Sequence, residues 1–75
     1  MDEKDFELLE MLDESRNITK AAERLFITQS ALSKRIKAME QELGVELLLR
    51  RHQGIRFTPE GELVLSSTRA AAKQL

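Results

Sequence analysis

The sequence predicts a mostly α-helical fold in the order α-α-α-β-β-α, and three observations carry that prediction. Apolar residues recur at helical three- and four-residue spacing from Phe6 to Leu43 and again beyond Pro59. Between Val45 and Phe57 that period stops, and Leu47-Leu48-Leu49 and Ile55-Arg56-Phe57 flank a turn holding Gly54. The breaks between segments fall on residues that start or stop helices: Asn17, Thr28, Gly44 and the pair Thr58-Pro59.

The first helix is expected from about Lys4 to Glu14, with Phe6, Leu8, Leu9, Met11 and Leu12 as its apolar stripe. Ser15-Arg16-Asn17 interrupts it, and Asn17 suits an N-cap for a helix beginning at Ile18. Ala21, Ala22 and Leu25 form the apolar patch of that second helix, which should end near Phe26. After a short corner, Thr28 caps a third helix over residues 29–43, whose Leu32, Ile36, Met39 and Leu43 make one core stripe at 4-3-4 spacing. Gly44 supplies the left-handed residue that ends it. Two helices around a tight corner, the second opening with small polar residues, make a helix-turn-helix.

Residues 48–57 read as a small hairpin, a wing, with Ile55 and Phe57 inward and Arg56 outward. Thr58 as N-cap and Pro59 at the first helical position then open a last helix. The fold class is therefore a winged helix-turn-helix over residues 1–58 followed by a C-terminal linker helix over 59–75. That helix admits two readings. It folds back on its own domain as an ordinary amphipath, or it pairs with a second copy through Leu63, Val64, Ser67, Ala70, Ala71 and Leu75, whose small members permit close approach.

The formal net charge of −1 hides a strong partition. Residues 1–14 carry seven acids against Lys4, residues 15–58 carry nine cations against four acids, and the remainder balances. A basic middle steers a polyanion, because local field rather than net charge governs approach. On the third helix, Ser30, Lys34 and Lys37 point away from the core stripe, with Gln29 and Ser33 at its flank. These are groups that hydrogen-bond base edges and phosphates, and they equally suit the solvated face of any amphipathic helix.

There is no cysteine, no apolar run near the roughly 18 residues of a membrane span, and an acidic N-terminus unlike a targeting signal. A cytoplasmic protein without a membrane partner is expected. Ser, His and Glu residues show no spacing of nucleophile, base and orienter, so no enzyme is expected. His52 is the single histidine, without a supporting carboxylate or thiol cluster, so neither metal nor cofactor is expected. The three phenylalanines sit at core-type positions and there is no Trp or Tyr, which leaves no stacking platform for single strands and favours duplex DNA.

Four fragments in order, Thr19-x-Ala21-Ala22-x-x-Leu25, Thr28-Gln29-Ser30-Ala31-Leu32-Ser33-x-x-Ile36, Leu43-Gly44-Val45-x-Leu47-Leu48-x-Arg50 and Thr58-Pro59-Glu60-Gly61, resemble the N-terminal DNA-binding domain of LysR-type transcriptional regulators. The resemblance implies a homodimer through antiparallel linker helices, reading a dyad-symmetric double-stranded operator. It implies that Gln29, Ser30, Ser33 and Lys34 meet the major groove, and Lys37 joins them as a candidate through its place on the same outer helix face. Thr19 and Thr28 fall where hydroxyls cap helices or touch phosphate, and Arg50 and the wing residues near His52 and Gln53 fall along the backbone or adjacent minor groove. By their charge Arg50, Arg51 and Arg56 are expected at phosphate, with a solvated strand face as the alternative. The resemblance also implies that a small-molecule effector binds a domain not present in these residues. Three departures stand out. Ser30 replaces a frequent proline, Lys34 replaces a common arginine, and Leu48-Leu49 replaces an aromatic-plus-polar pair, which should expose one extra apolar side chain near the wing. The rival expectation, supported by the low overall pI, is a winged-helix module that binds a protein.

Overall fold

A computed structural model describes residues 1–52 and 54–73, with side chains through Ala71. Helix α1 (Glu3–Ser15) opens on a capping box: the Asp2 carboxylate accepts the Asp5 N–H at 3.0 Å and the Asp5 carboxylate accepts the Asp2 N–H at 3.2 Å. It closes on Arg16 in the left-handed region, φ 53°. Helix α2 (Ile18–Arg24) is capped by Asn17, whose side chain accepts the Lys20 N–H at 2.9 Å.

The corner after α2 is a Schellman motif. Ile27 N–H donates to the Ala22 carbonyl and Phe26 N–H to the Glu23 carbonyl, both at 3.1 Å, with Phe26 at φ 58° where glycine is usual. This geometry ends α2 at Arg24 and turns the Phe26 ring outward, leaving it 94% exposed. The expectation that all three phenylalanines sit at core-type positions therefore fails at Phe26, while Phe57 is buried and Phe6 half-buried.

Helix α3 (Gln29–Leu43) starts on Thr28, whose hydroxyl accepts the Ala31 N–H at 3.0 Å, and stops at Gly44, φ 72°. Leu32, Ile36 and Met39 are buried as the stripe requires, but Leu43 is 39% exposed. It lies in the last turn, beside a groove with Met1, Phe6, Leu63 and Val64 rather than inside the core.

Strands β1 (Leu48–Arg51) and β2 (Gly54–Phe57) pair antiparallel in the register Leu48↔Phe57, Leu49↔Arg56, Arg50↔Ile55 and Arg51↔Gly54. Alternation puts Leu48, Arg50, Ile55 and Phe57 on one face and Leu49, Arg51 and Arg56 on the other. Ile55 and Phe57 are buried, Arg56 is exposed, and Leu49 is the extra apolar side chain at the surface, 37% exposed. The hairpin is seated on the end of α1, where Ile55 N–H donates to the Arg16 carbonyl at 3.0 Å. Gly54 (φ 124°) makes this approach possible, since a Cβ there would run into the same carbonyl.

Helix α4 (Pro59–Lys73) follows Thr58, whose hydroxyl donates to the Glu46 carbonyl at 2.5 Å and accepts the Gly61 N–H at 2.9 Å. The helix packs on α1 and β2 and sends Leu65 and Thr68 into the core beside Leu9, Leu12, Leu32, Met39 and Leu47. Leu63, by contrast, is 70% exposed. The two readings of this helix are thus not exclusive: one face folds back on the domain while the other presents Leu63 outward, with Ser67, Ala70 and Ala71 also exposed and Val64 half-buried. Among the described residues no helix is long and apolar enough to cross a membrane.

Candidate nucleic-acid interface

The corner and the Thr28 cap fix where α3 begins, and its first two turns carry Gln29, Ser30 and Lys34 exposed, with Lys37 exposed one turn on. Ser33 is half-buried at the flank of the apolar stripe. The inner face of the hairpin stands opposite. Between them runs a cleft of about 460 Å³ lined by Ser30, Ser33, Lys34, Lys37 and Arg50, with Ile36 and Leu48 as its apolar wall. A smaller recess of about 200 Å³ continues past Arg50 to Thr19, Gln29 and Arg51. Arg50 borders both.

Two polar contacts organise this surface. The Arg50 guanidinium donates from Nη2 to the Ser33 hydroxyl at 2.9 Å. The Thr19 hydroxyl donates to Gln29 Oε1 at 3.4 Å, so α2 touches the first residue of α3. Thr28 uses its oxygen as the helix cap. The structure therefore gathers Thr19, Gln29, Ser30, Ser33, Lys34, Lys37 and Arg50 around one concave face. Arg51 and Arg56 project from the hairpin's opposite face, and His52 is exposed at its turn. Gln53 and Leu75 lie outside the described residues.

Charge is sorted more sharply than the sequence count suggested. Arg35 pairs with Asp5 at 2.8 Å, Arg16 with Asp13 at 2.6 Å, and Arg69 with Glu10 at 2.7 Å and Asp13 at 2.5 Å, so α1 acids absorb three arginines, one at the helix's own end and two from α3 and α4. Burial pushes the Asp5 carboxyl up, but its hydrogen bonds to Arg35 and the Asp2 N–H, with the Arg35 charge, outweigh this and hold it below its ordinary value. Asp13 follows the same pattern: burial raises it, and the hydrogen bonds and charges of Arg69 and Arg16 bring it lower. Among the described residues, Lys34, Lys37, Arg50, Arg51 and Arg56 form no ion pair. Lys4, Lys20 and Arg24 are likewise unpaired among the described residues, but on the cleft side the uncompensated cations are Lys34 and Lys37 of α3 and Arg50 of the hairpin.

One residue of this region was not singled out from the sequence. Glu40 Oε2 accepts the Leu47 N–H at 2.7 Å and the Leu48 N–H at 3.5 Å, fastening the start of the hairpin to α3. Local pattern gives no warning of it, because the carboxylate meets backbone seven residues on across the Gly44 turn.

The model of bacterial regulatory helix-turn-helix proteins of the lysR family matches residues 4–62. The chain belongs to the LysR family. Across 75 residues it is 45% identical to the HTH-type transcriptional regulator YraN of Bacillus subtilis (strain 168), covering 100% of this chain and 26% of that protein. It is 47% identical over 51 residues to the HTH-type transcriptional regulator HdfR of Yersinia enterocolitica, covering 68% of this chain and 17% of the regulator. The chain thus spans about a quarter or less of the length of these curated relatives. Among solved structures, the CbnR DBD–DNA complex superposes with a TM-score of 0.88 at 31% identity, covering 99% of this chain and 85% of that one. The BenM DBD/catB site 1 DNA complex gives 0.87 at 31% identity, with 99% and 83% covered. The winged helix-turn-helix architecture is shared throughout.

Proposed function

We propose that this LysR-family chain is a sequence-specific reader of double-stranded DNA within a bacterial transcriptional regulator. Helix α3 enters the major groove, and the hairpin over residues 48–57 follows the phosphate backbone or the adjacent minor groove. The observation that carries this reading is the set of cations without an ion pair among the described residues, Lys34, Lys37 and Arg50 lining the cleft and Arg51 and Arg56 on the outer face of the wing. The CbnR and BenM domains, solved with DNA, lend support through the same architecture. Gln29 and Ser30 are placed to meet base edges, whereas Lys34, a point charge rather than a fork, suits phosphate. Thr19, Thr28, His52 and Gln53 complete the footprint. The role contains no catalytic step, belongs in the cytoplasm with the chromosome, and leaves effector binding to a part of the regulator outside residues 1–75.

Residues 1–58 are the reading unit in this scheme and α4 holds two copies together. Leu63, Val64, Ser67, Ala70 and Ala71 supply its outer face, and Met1, Phe6 and Leu43 border the same apolar groove of about 340 Å³. Sedimentation should show a dimer that Leu63→Glu converts to monomer, and a monomer at high concentration removes this part of the scheme. For DNA, electrophoretic shift of duplexes selected from a random pool should show binding that weakens with salt. The logarithmic slope is roughly −4 to −5 per subunit if all five cations meet phosphate. Absence of any shift at low salt overturns the reading and favours a protein-binding module.

A further inference from the structure

The cations of the wing are not equivalent. Strand alternation places Arg51 and Arg56 on the outer face of the hairpin and Arg50 alone among them on the inner face, with Leu48, Ile55 and Phe57. From there its guanidinium reaches α3 and donates to the Ser33 hydroxyl at 2.9 Å. Ser33 is also the odd member of its own helix, half-buried where Gln29, Ser30, Lys34 and Lys37 are exposed. Of these side chains it is therefore the least free to reach an incoming base.

We propose that Ser33 is a positioning residue: it pins Arg50 against the recognition helix, so that the wing's cation meets DNA in the same frame as Gln29 and Lys34. The proposal rests on the DNA-binding reading above. A guanidinium has five N–H donors, and one bond to Ser33 leaves the others for phosphate or a base edge. A free arginine loses rotamer freedom when it binds, and one already fixed has less to lose. The base of the hairpin is fixed in the same way, by Glu40 at the Leu47 N–H. Two anchors, one at the residue before β1 and one at its third residue, therefore tie the wing to the helix.

The test is a double-mutant cycle on the intact domain, using a duplex selected from a random pool by the unmutated protein. Ser33→Ala should weaken binding about three- to tenfold, the cost of reordering one long side chain. Arg50→Ala should weaken it further and reduce the salt slope by about 1. In the Arg50→Ala background, adding Ser33→Ala should change affinity by less than about twofold. Ser33→Thr, which keeps the hydroxyl, should restore binding, and none of the Ser33 variants should shift the thermal midpoint. In the DNA-free protein, nitrogen relaxation at Arg50 Nε should report an ordered guanidinium that becomes mobile in Ser33→Ala. Equal losses from Ser33→Ala in both backgrounds would mean direct contact with DNA and overturn the proposal, as would an Arg50 Nε indifferent to Ser33. If the unmutated protein shifts no duplex, the DNA reading falls and the role of the tether with it, while relaxation still reports whether the tether exists.

Discussion

Replacing Phe26 by glycine should make the domain more stable, which is an unusual outcome for deleting an aromatic ring. The residue sits at the left-handed position of the helix-turn-helix corner, φ 58°, and its side chain is 94% exposed. The ring therefore contributes almost no burial. A left-handed backbone costs an L-residue about 1–2 kcal/mol. Glycine escapes that cost but brings back about 0.5–1 kcal/mol of unfolded-chain entropy. The net gain is about 0.5–1 kcal/mol, or roughly 2–8 °C in the melting temperature of a domain this small. Circular dichroism melts with urea titrations at unchanged slope would measure it. Phe26→Ala is the control: it keeps the backbone cost and removes only the ring, so it should stay within about 0.5 kcal/mol of the parent. A melting temperature lowered by Phe26→Gly, or a loss above about 1 kcal/mol from Phe26→Ala, would mean that the ring is packed and the reasoning wrong.

The carboxylate of Glu40 should prove structural: Glu40→Ala strips the acceptor from the buried Leu47 amide and should cost about 1.5–3 kcal/mol, whereas Glu40→Gln keeps an acceptor and should cost less; thermal melts that fail to separate the two variants would count against the bond. Acid should unfold the domain through Asp5 and Asp13. Both are held below their ordinary values in the folded chain, so their contribution is complete above the unfolded carboxylate range of about 3.9 and is lost as pH falls through the folded values. Melting temperature should be flat from neutral pH to about 5 and drop below about 4, and Asp13→Asn should flatten that drop. A profile unchanged by Asp13→Asn would show that its arginine pairs contribute nothing.

Features closed by local chemistry were legible in the sequence. Asn17, Thr28 and Gly44 act on backbone within a few residues, so residue type and position were enough to place the start of α2 and both ends of α3. By contrast α2, expected to run to about Phe26, stops at Arg24, where the left-handed Phe26 closes the corner. The start of α4 at Thr58-Pro59 was readable for the same reason. What resisted was everything set by distant packing. In Leu63-Val64-Leu65, neighbours differ by about 100° around the helix, and only the position of α1 and β2 decides that Leu65 points inward and Leu63 outward. Periodicity extended the α3 stripe to Leu43, but it carries no information on where the opposing surface ends. Charge counting treated Arg16 and Arg35 as part of a free positive field, although each is held by a carboxylate of α1. Arg50 was singled out, yet its bond to Ser33 spans 17 residues and needs the hairpin folded back before it exists.

The close contact at Gly61 has a mechanical consequence. A Cβ at this position would meet the Leu47 carbonyl, so the first turn of α4 lies flush against the chain that leads into the hairpin. Thr58 clamps the same junction through the Glu46 carbonyl and the Gly61 N–H. With no slack at its root, α4 behaves as a boom rather than a tether. A torque applied at its far end is delivered to the foot of the wing and not absorbed by a swivel at Thr58–Pro59. Lengthening or shortening the boom beyond Gly61 should swing the reading head about the helix axis by about 100° per residue, besides displacing it about 1.5 Å along that axis.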